Sequence, residues 1–139
     1  MYRLIYKSRS IMPVDWALVN GIIETSQKQN VAREITGLLL ATRTHFLQVL
    51  EGSFEDVNSL YCHIVRDPRH HQVQLVSFTC TEKRIFGTWA MHGVGLFNFN
   101  SEISEQLKAS YGEEDGEVCF PTEEWAALSM IHDIRRSNS

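Results

Sequence analysis

The sequence predicts an α+β fold: a ferredoxin-like βαββαββ sheet with two helices on one face and a C-terminal two-helix extension on the other. Alternating apolar segments and segments with helical spacing follow one another in the order strand, helix, strand, strand, helix, strand, strand. The central strand segments are apolar on both faces, which indicates a sheet that is covered on both sides. A length of 139 residues suits one domain with a short extension.

The first half of the chain contains three predicted strands and one helix. Tyr2–Lys7 alternates between polar and apolar residues and is predicted to be the first strand. Asp15 can cap a helix, and apolar residues recur at helical spacing from there to Lys28. Ile35–Ala41 and Phe46–Glu51 are apolar runs joined by a short polar connection, so we predict that they pair as antiparallel neighbours.

The next elements complete the predicted sheet. Ser53 stands three residues before Asp56 in a capping-box arrangement, and the amphipathic helix that follows ends before Pro68. Val73–Cys80 and Thr88–Phe97 are predicted to be the fourth and fifth strands. Because split βαβ crossovers are right-handed, both helices should lie on the same face of the sheet.

The third strand indicates that a further layer covers the opposite face. Phe46 and Leu50 lie on one side of this strand, while Leu47 and Val49 lie on the other. A sheet with one face in water would show polar residues on that face. We therefore expect the segment after Asn98 to pack on the second face.

This extension, residues 98–139, is predicted to be part of the same structure as the domain over residues 1–97. A helix is expected over Ser101–Tyr111, an acidic loop over Gly112–Glu117 and a longer helix over Pro121–Arg135. The apolar stripe of the last helix is predicted to contain Trp125, Leu128 and Ile131 or His132.

Composition and charge limit the possible partners. The net charge of −4 leaves no basic surplus to neutralise phosphates, so direct nucleic-acid binding is not expected. Leu38–Ala41 is the longest apolar run and is too short to span a membrane, and the first residues do not resemble a secretory signal, so we expect a cytoplasmic protein. The cysteines, Cys62, Cys80 and Cys119, lack the spacing of a disulfide framework or a zinc site.

Two polar residues stand where the pattern predicts an apolar core. Gln48 is flanked by apolar residues, and Tyr6 lies on an apolar face of the first strand. Each of them alone is more often a core residue whose polar group is satisfied locally. However, the first and third strands should be neighbours, so Tyr6 and Gln48 can meet, and Asn30 at the end of the first helix lies near them. Together they suit an uncharged, hydrogen-bond-rich heterocycle held between two helices and a sheet.

Two other groups of residues allow both a structural and a functional interpretation. Arg69 and His70 follow the second helix, where positive groups interact favourably with the helix dipole. Asp67 precedes them at the end of the same helix. Trp89 and Met91 point the same way on the predicted fifth strand, where they can be core residues or parts of a switch.

Six segments in order over residues 1–97 resemble the motifs of BLUF domains, blue-light receptors that hold FAD between two helices of a ferredoxin-like sheet. They are Tyr2–Tyr6, Ser26–Asn30, Ile35–Leu39, Phe46–Gly52, Asp67–His71 and Trp89–Met91. The residues after 97 resemble the two-helix extension of short, stand-alone members.

The resemblance implies a role for each candidate residue. Tyr6 would donate an electron and a proton to the excited flavin, and Gln48 would link the phenol to the edge of the flavin ring. Asn30 would hold the carbonyl and imide edge of the ring. The residues implied for the remaining contacts to flavin are Gln29, Asp67, Arg69 and His70.

The resemblance also implies how the signal leaves the site. Trp89 and Met91 would change exposure with the state of Gln48 and pass this change to the extension. FMN or riboflavin could substitute for FAD. The chain would be a signal-transduction protein without enzymatic activity that acts on a separate downstream protein, and it would form a homo-oligomer.

Three other classes of protein share parts of this pattern. A small enzyme of the acylphosphatase type would need a phosphate-cradling loop, and the sequence has no glycine-rich loop of that kind. An RNA-binding module of similar topology would need exposed aromatic residues and a positive field. A protein-interaction domain without a cofactor fits the same pattern, and absence of a yellow colour would distinguish it.

Overall fold

A computed structural model, which describes residues 1–87 and 89–137, shows a five-stranded sheet with helices on both faces. The strands of this sheet are β1 (Tyr2–Ser10), β2 (Thr36–Ala41), β3 (His45–Gly52), β4 (His70–Cys80) and β5 (His92–Gly95). The helices are α1 (Trp16–Ala32), α2 (Phe54–Val65), α3 (Ser101–Tyr111) and α4 (Glu124–Ser137). The predicted α+β class and the order of the elements are confirmed.

The strand order β4-β1-β3-β2-β5 places β1 and β3 at the centre of the sheet. These two strands are antiparallel, and their register sets Tyr6 directly opposite Gln48. The hairpin of β2 and β3 is antiparallel as predicted, whereas β5 pairs with β2 in parallel. The sequence therefore brings two residues 42 positions apart into one cross-strand pair at the centre of the sheet.

Each face of the sheet carries its own hydrophobic core. On one face, α1 and α2 cover a cluster that includes Leu4, Tyr6, Leu39, Phe46 and Leu50. On the other face, residues of the extension cover a cluster formed by the opposite sides of the same strands, including Ile5, Leu47, Val49, Phe120 and Met130. The prediction that the segment after Asn98 covers the second face is thus correct.

Side-chain caps define where the helices begin. Asp15 accepts a hydrogen bond from the amide of Leu18 at 2.9 Å and caps α1. The Ser53 hydroxyl accepts one from the amide of Asp56 at 3.2 Å and caps α2. These caps satisfy amide groups that the helices themselves cannot pair.

The fifth strand is shorter than predicted. The pattern predicted a strand over Thr88–Phe97, but β5 spans His92–Gly95 and Leu96–Asn98 forms a turn of 3-10 helix. Thr88 lies outside the described residues. Trp89 and Met91 precede β5 in a loop, so the prediction that they stand on the strand is wrong.

The extension differs from its prediction in two details. The segment Gly112–Glu117, predicted as an acidic loop, instead contributes to a short hairpin of β6 (Glu113–Glu114) and β7 (Glu117–Val118). The predicted stripe of α4 is correct for Ile131, which is buried, and for Leu128, which packs against the core, but wrong for Trp125, which is 71% exposed; Ala127, Met130 and Ile134 complete the buried side. The buried residues recur at helical spacing, so the buried side of α4 contains Ala127 and not Trp125.

No helix of the described chain combines the length and apolar character that a membrane span requires.

Candidate functional site

A cavity of about 470 Å³ lies between α1, α2 and the sheet. Its volume falls within the range of small-molecule sites, which is roughly 300 to 1,000 Å³. Six of the residues that the sequence singled out line it: Tyr6, Gln29, Gln48, Asp67, Arg69 and His70. Apolar side chains such as Ile22, Leu39 and Leu60 form much of the remaining wall.

The floor of the cavity contains a chain of hydrogen bonds through one buried amide. The Tyr6 hydroxyl donates to Gln48 Oε1, and Gln48 Nε2 lies 3.5 Å from Met91 Sδ and donates to it. All three side chains are buried. Gln48 thus joins a phenol to a thioether, and one end of its amide has only a weak acceptor.

Burial keeps the Tyr6 phenol neutral. Loss of contact with water raises the pKa of Tyr6 well above its usual range, and the neighbouring Tyr61 and Asp67 raise it further. The Tyr61 ring lies 5.7 Å from the Tyr6 ring, centroid to centroid. The phenol can therefore release its proton only together with an electron, or to an acceptor that its hydroxyl already contacts.

Asn30 carries an unsatisfied acceptor near the cavity. Its side chain is 0% exposed, and Nδ2 donates to the carbonyl of Ala90 at 2.6 Å. The Asn30 Oδ1 atom has no hydrogen-bond partner in the described part of the chain. Because an unpaired buried oxygen costs about 1–3 kcal/mol, this position favours a bound ligand that presents an N–H group.

Asp67 and Arg69 form a rigid pair at the end of the cavity beyond α2. Arg69 Nε and Nη2 both donate to the Asp67 carboxylate, at 3.0 and 2.6 Å, and the Arg69 amide donates to it at 2.9 Å. The hydrogen bond to Arg69 lowers the pKa of Asp67, and the same bond raises the pKa of Arg69. Both groups remain ionised and offer a fixed polar edge to a ligand.

His70 is held in place by the protein itself. Its Nε2 lies 2.6 Å from the Ile64 carbonyl oxygen and its Nδ1 lies 2.7 Å from the Ser8 hydroxyl. A carbonyl only accepts, so Nε2 donates to it, and the Ser8 hydroxyl, which can donate or accept, pairs with Nδ1. With both nitrogens engaged, His70 contributes its ring surface to the cavity wall.

Met91 and Trp89 occupy opposite sides of the sheet, which corrects the prediction that they point the same way. Met91 belongs to the core beneath α1 and α2, against Gln48. Trp89 is 37% exposed and stacks on His92, with the Arg135 guanidinium 5.2 Å from its ring centroid. Residues i and i+2 share a face only in an extended strand, and the chain bends at Ala90.

Sequence reasoning missed Gln27. Its Nε2 donates to the Met91 carbonyl at 3.0 Å and fixes the backbone of the residue that contacts Gln48. The signal was present, because Gln27 lies in the same polar segment as Asn30 at the end of α1. Two amides of one helix thus hold the segment of Ala90 and Met91.

The protein thus combines a ferredoxin-like sheet with a cavity between two helices that is lined by amides and a phenol. This arrangement is typical of a class of flavin-binding sensor domains. The model of the BLUF family, described as sensors of blue light using FAD, matches residues 1–92. The chain belongs to the BLUF family, and it shares with that family the binding of FAD and the sensing of blue light. The resemblance identified in the sequence is confirmed.

Individual relatives agree with this assignment. The blue light- and temperature-regulated antirepressor BluF of Escherichia coli is 33% identical over 90 residues, which are 63% of this chain and 22% of that protein. The photoactivated adenylate cyclase subunit beta of Euglena gracilis is 34% identical over 83 residues, 60% of this chain and 10% of that protein. The chain therefore spans a small part of these curated relatives.

One solved structure matches almost end to end. The dark-state structure of BlrB, a BLUF protein, aligns with a TM-score of 0.74 and 25% identity, covering 98% of this chain and 96% of that one. The match includes the region of the extension as well as the sheet. The extension on the second face of the sheet thus has a counterpart in a known BLUF protein.

Replacing Asn30 by alanine is expected to weaken FAD binding at least tenfold, which corresponds to about 1.4 kcal/mol. The substitution removes the buried Oδ1 atom that lacks a donor and also frees the Ala90 carbonyl. Titration of flavin-free protein with FAD, followed by flavin fluorescence, measures the change. Asn20→Ala, an exposed position on the same helix, is the matched control, and equal affinity of both variants would contradict the assignment.

Proposed function

We propose that Tyr6 supplies the electron and the proton of the light reaction and that the Gln48 amide is the switch that this reaction sets. The observation that carries the proposal is the chain Tyr6–Gln48–Met91 at the floor of the cavity. FAD bound there supplies the absorption of blue light and an electron acceptor. The remaining steps depend on side chains of this protein.

Tyr6 is suited to lose an electron and a proton together. Its phenol is neutral because burial raises its pKa, and its hydroxyl already donates to Gln48 Oε1. Removing an electron makes the phenol strongly acidic, so the proton passes along this hydrogen bond to the amide oxygen. The electron then returns to the Tyr6 radical and the protonated amide gives a proton back, so that the phenol is restored and only the amide is left with a changed set of donors and acceptors.

Gln48 can hold two hydrogen-bond patterns, of which the described one is favoured in the dark. In the described pattern Oε1 accepts from Tyr6 and Nε2 donates to Met91 Sδ. Turning or tautomerising the amide exchanges donor and acceptor. Because sulfur is a weak acceptor, the contact to Met91 is inexpensive to break, and Met91 can leave when the amide changes.

The proposed contacts to the cofactor use the polar groups that line or border the cavity. Asn30 Oδ1 accepts an N–H of the ring, and Gln29 lies on the same side of the site. Asp67 with Arg69, and the ring of His70, contact the opposite side. FMN or riboflavin carries the same ring as FAD, so we expect either to substitute.

The output surface is proposed to be the extension, residues 98–137. Arg135 of α4 lies over the ring of Trp89 and donates to the Ile85 carbonyl at 3.2 Å. Lys7, the residue after Tyr6, donates to the Phe120 carbonyl at 2.9 Å. The extension thus contacts both strand β1 and the loop that carries Trp89.

The chain is proposed to signal without catalysis of its own. It acts through a separate downstream protein, through a change in a homo-oligomer, or through both. In support, the family match that covers residues 1–92 is to a sensor family. We propose a cytoplasmic location for this sensor.

Blue light is expected to increase backbone amide exchange in the extension. Hydrogen exchange with mass spectrometry, in darkness and under illumination, should show faster exchange in α4 and in the hairpin of β6 and β7. Flavin-free protein under the same light is the control. If light alters exchange only within residues 1–97, the extension is not the output surface.

A further inference from the structure

Glu51 is a buried carboxylate that the light reaction described above does not use. It lies on β3 and is 0% exposed. Oε2 accepts from the Ile85 amide at 2.7 Å and from Arg3 Nε at 3.4 Å. Oε1 accepts from the Phe86 amide at 3.2 Å and from the Thr36 hydroxyl at 3.0 Å. Each carboxylate oxygen therefore receives two donors.

The loop between β4 and β5 contains Ile85 and Phe86, whose amides donate to Glu51, and it leads directly to Trp89 and Met91. The Phe86 carbonyl accepts from the Trp89 amide at 3.0 Å, and the Trp89 carbonyl accepts from the Gly37 amide of β2 at 2.9 Å. Phe86 itself is buried in the core beneath the extension. A continuous set of hydrogen bonds thus joins the Glu51 carboxylate to the backbone of Trp89.

The other end of the loop is held from the opposite side of the sheet. Asn30 and Gln27 bind the carbonyls of Ala90 and Met91, and Gln48 contacts Met91 Sδ. These groups belong to the cofactor site, whereas Glu51 faces the extension. Ile85 and Phe86 are therefore held by the Glu51 carboxylate, whereas Ala90 and Met91 are held by the amides of the cofactor site, one of which, Gln48, is the proposed switch.

We propose that Glu51 is a positioning residue for the photoresponse: its carboxylate anchors the start of the loop, so that Met91 returns to a single place against Gln48 in the dark. The proposal rests on the proposed role of Gln48 as the switch. Glu51 acts through the loop backbone and does not touch the cavity, since it is absent from the residues that line it.

Because four donors surround the Glu51 carboxylate, replacing Glu51 by glutamine tests its role as an anchor directly. A glutamine has nearly the same shape, but it offers one acceptor oxygen and an NH₂ group in place of two acceptors. Either Ile85 and Arg3, or Phe86 and Thr36, would then face a donor. The substitution loosens the anchor while it leaves the volume of the core almost unchanged.

The experiment compares dark recovery after a blue pulse in FAD-loaded wild type, Glu51→Gln and Glu51→Asp. Recovery is expected to be at least threefold slower in Glu51→Gln, because Met91 must find Gln48 from a wider range of loop positions. Glu51→Asp keeps both acceptor oxygens and should restore part of the rate. Glu82→Gln, an exposed position in the same loop, is the matched control and should recover like wild type.

The outcomes separate this inference from the proposed function. A wild-type light response with the same recovery rate in Glu51→Gln would overturn the role of Glu51 alone. Absence of any light response in wild type would overturn the proposed function, and this inference with it. Equal slowing in Glu82→Gln would show an effect of loop charge and would also overturn the role of Glu51.

A second measurement applies if Glu51→Gln does not fold. In the dark-state wild type, the amides of Ile85 and Phe86 should exchange at least a hundredfold more slowly than in an unstructured chain, since both donate to a buried carboxylate. Exchange at the unprotected rate would overturn the anchor. Protection at both amides would support it.

Discussion

Replacing Gln48 by leucine is expected to abolish the light-induced red shift of the flavin absorption, while the variant still folds and binds FAD. Leucine fills a similar volume in the buried core but has no amide. Without Oε1 the Tyr6 hydroxyl loses its proton acceptor, and without Nε2 the contact to Met91 is lost. The Tyr6 hydroxyl is then left without a hydrogen-bond partner, which lowers the free energy of unfolding by about 1–3 kcal/mol. This loss is smaller than the total stability of a typical domain.

The measurement is a light-minus-dark absorption spectrum of the flavin-loaded variant. Gln106→Leu, on the exposed side of α3, is the control for introducing leucine elsewhere and should respond like wild type. A red shift of wild-type size in Gln48→Leu would show that the amide is not the switch.

Replacing Tyr6 by phenylalanine is expected to reduce the yield of the red-shifted state at least a hundredfold, with FAD binding retained. The change removes one hydroxyl, leaves the ring in the core, and takes away the group that can lose an electron and a proton together. The yield of conversion per absorbed photon, measured under calibrated blue light, tests this expectation.

The neighbouring Tyr61 provides the matched control for Tyr6. Its ring lies 5.7 Å from the ring of Tyr6, so Tyr61→Phe removes a second phenol beside the same site. We expect this variant to convert with nearly wild-type yield. If Tyr61→Phe loses the response and Tyr6→Phe keeps it, the donor has been assigned to the wrong phenol.

The pairing at the heart of the site could be predicted from sequence because it depends on strand order. Alternation defines the faces of β1 and β3, and the right-handed crossover makes them neighbours, so Tyr6 and Gln48 had to meet if the fold was correct. The covered second face followed in the same way from Leu47 and Val49. Both inferences depend on the periodicity of apolar residues, which a short stretch of sequence is sufficient to show.

The failures concern places where the backbone departs from a regular period. The bend at Ala90 sends Trp89 and Met91 to opposite sides of the sheet, and no residue pattern marks that bend. Trp125 is exposed although it is apolar, because Ala127, Met130, Ile131 and Ile134 form the side of α4 that packs on the core. The position of an apolar residue on a helix does not by itself specify which neighbour it contacts.

Glu51 shows a second limit. Two of its partners are backbone amides of a loop more than thirty residues away. Because every residue except proline has the same backbone amide, the sequence does not show which amides will bind a side chain. Its neighbours Val49 and Leu50 marked a strand, but nothing near it indicated what the carboxylate would bind. Contacts of this kind become visible only when the loop has been placed in three dimensions.

The most direct test of the account is the visible absorption spectrum of the wild-type chain loaded with FAD, recorded in darkness, during blue illumination and after return to darkness. We expect a flavin spectrum that shifts slightly to the red under light and reverts fully in the dark. The reason is that the dark and illuminated states differ only in the hydrogen bonds around an unchanged flavin ring. A spectrum that does not change, or a bleached one typical of a covalent adduct, would contradict it.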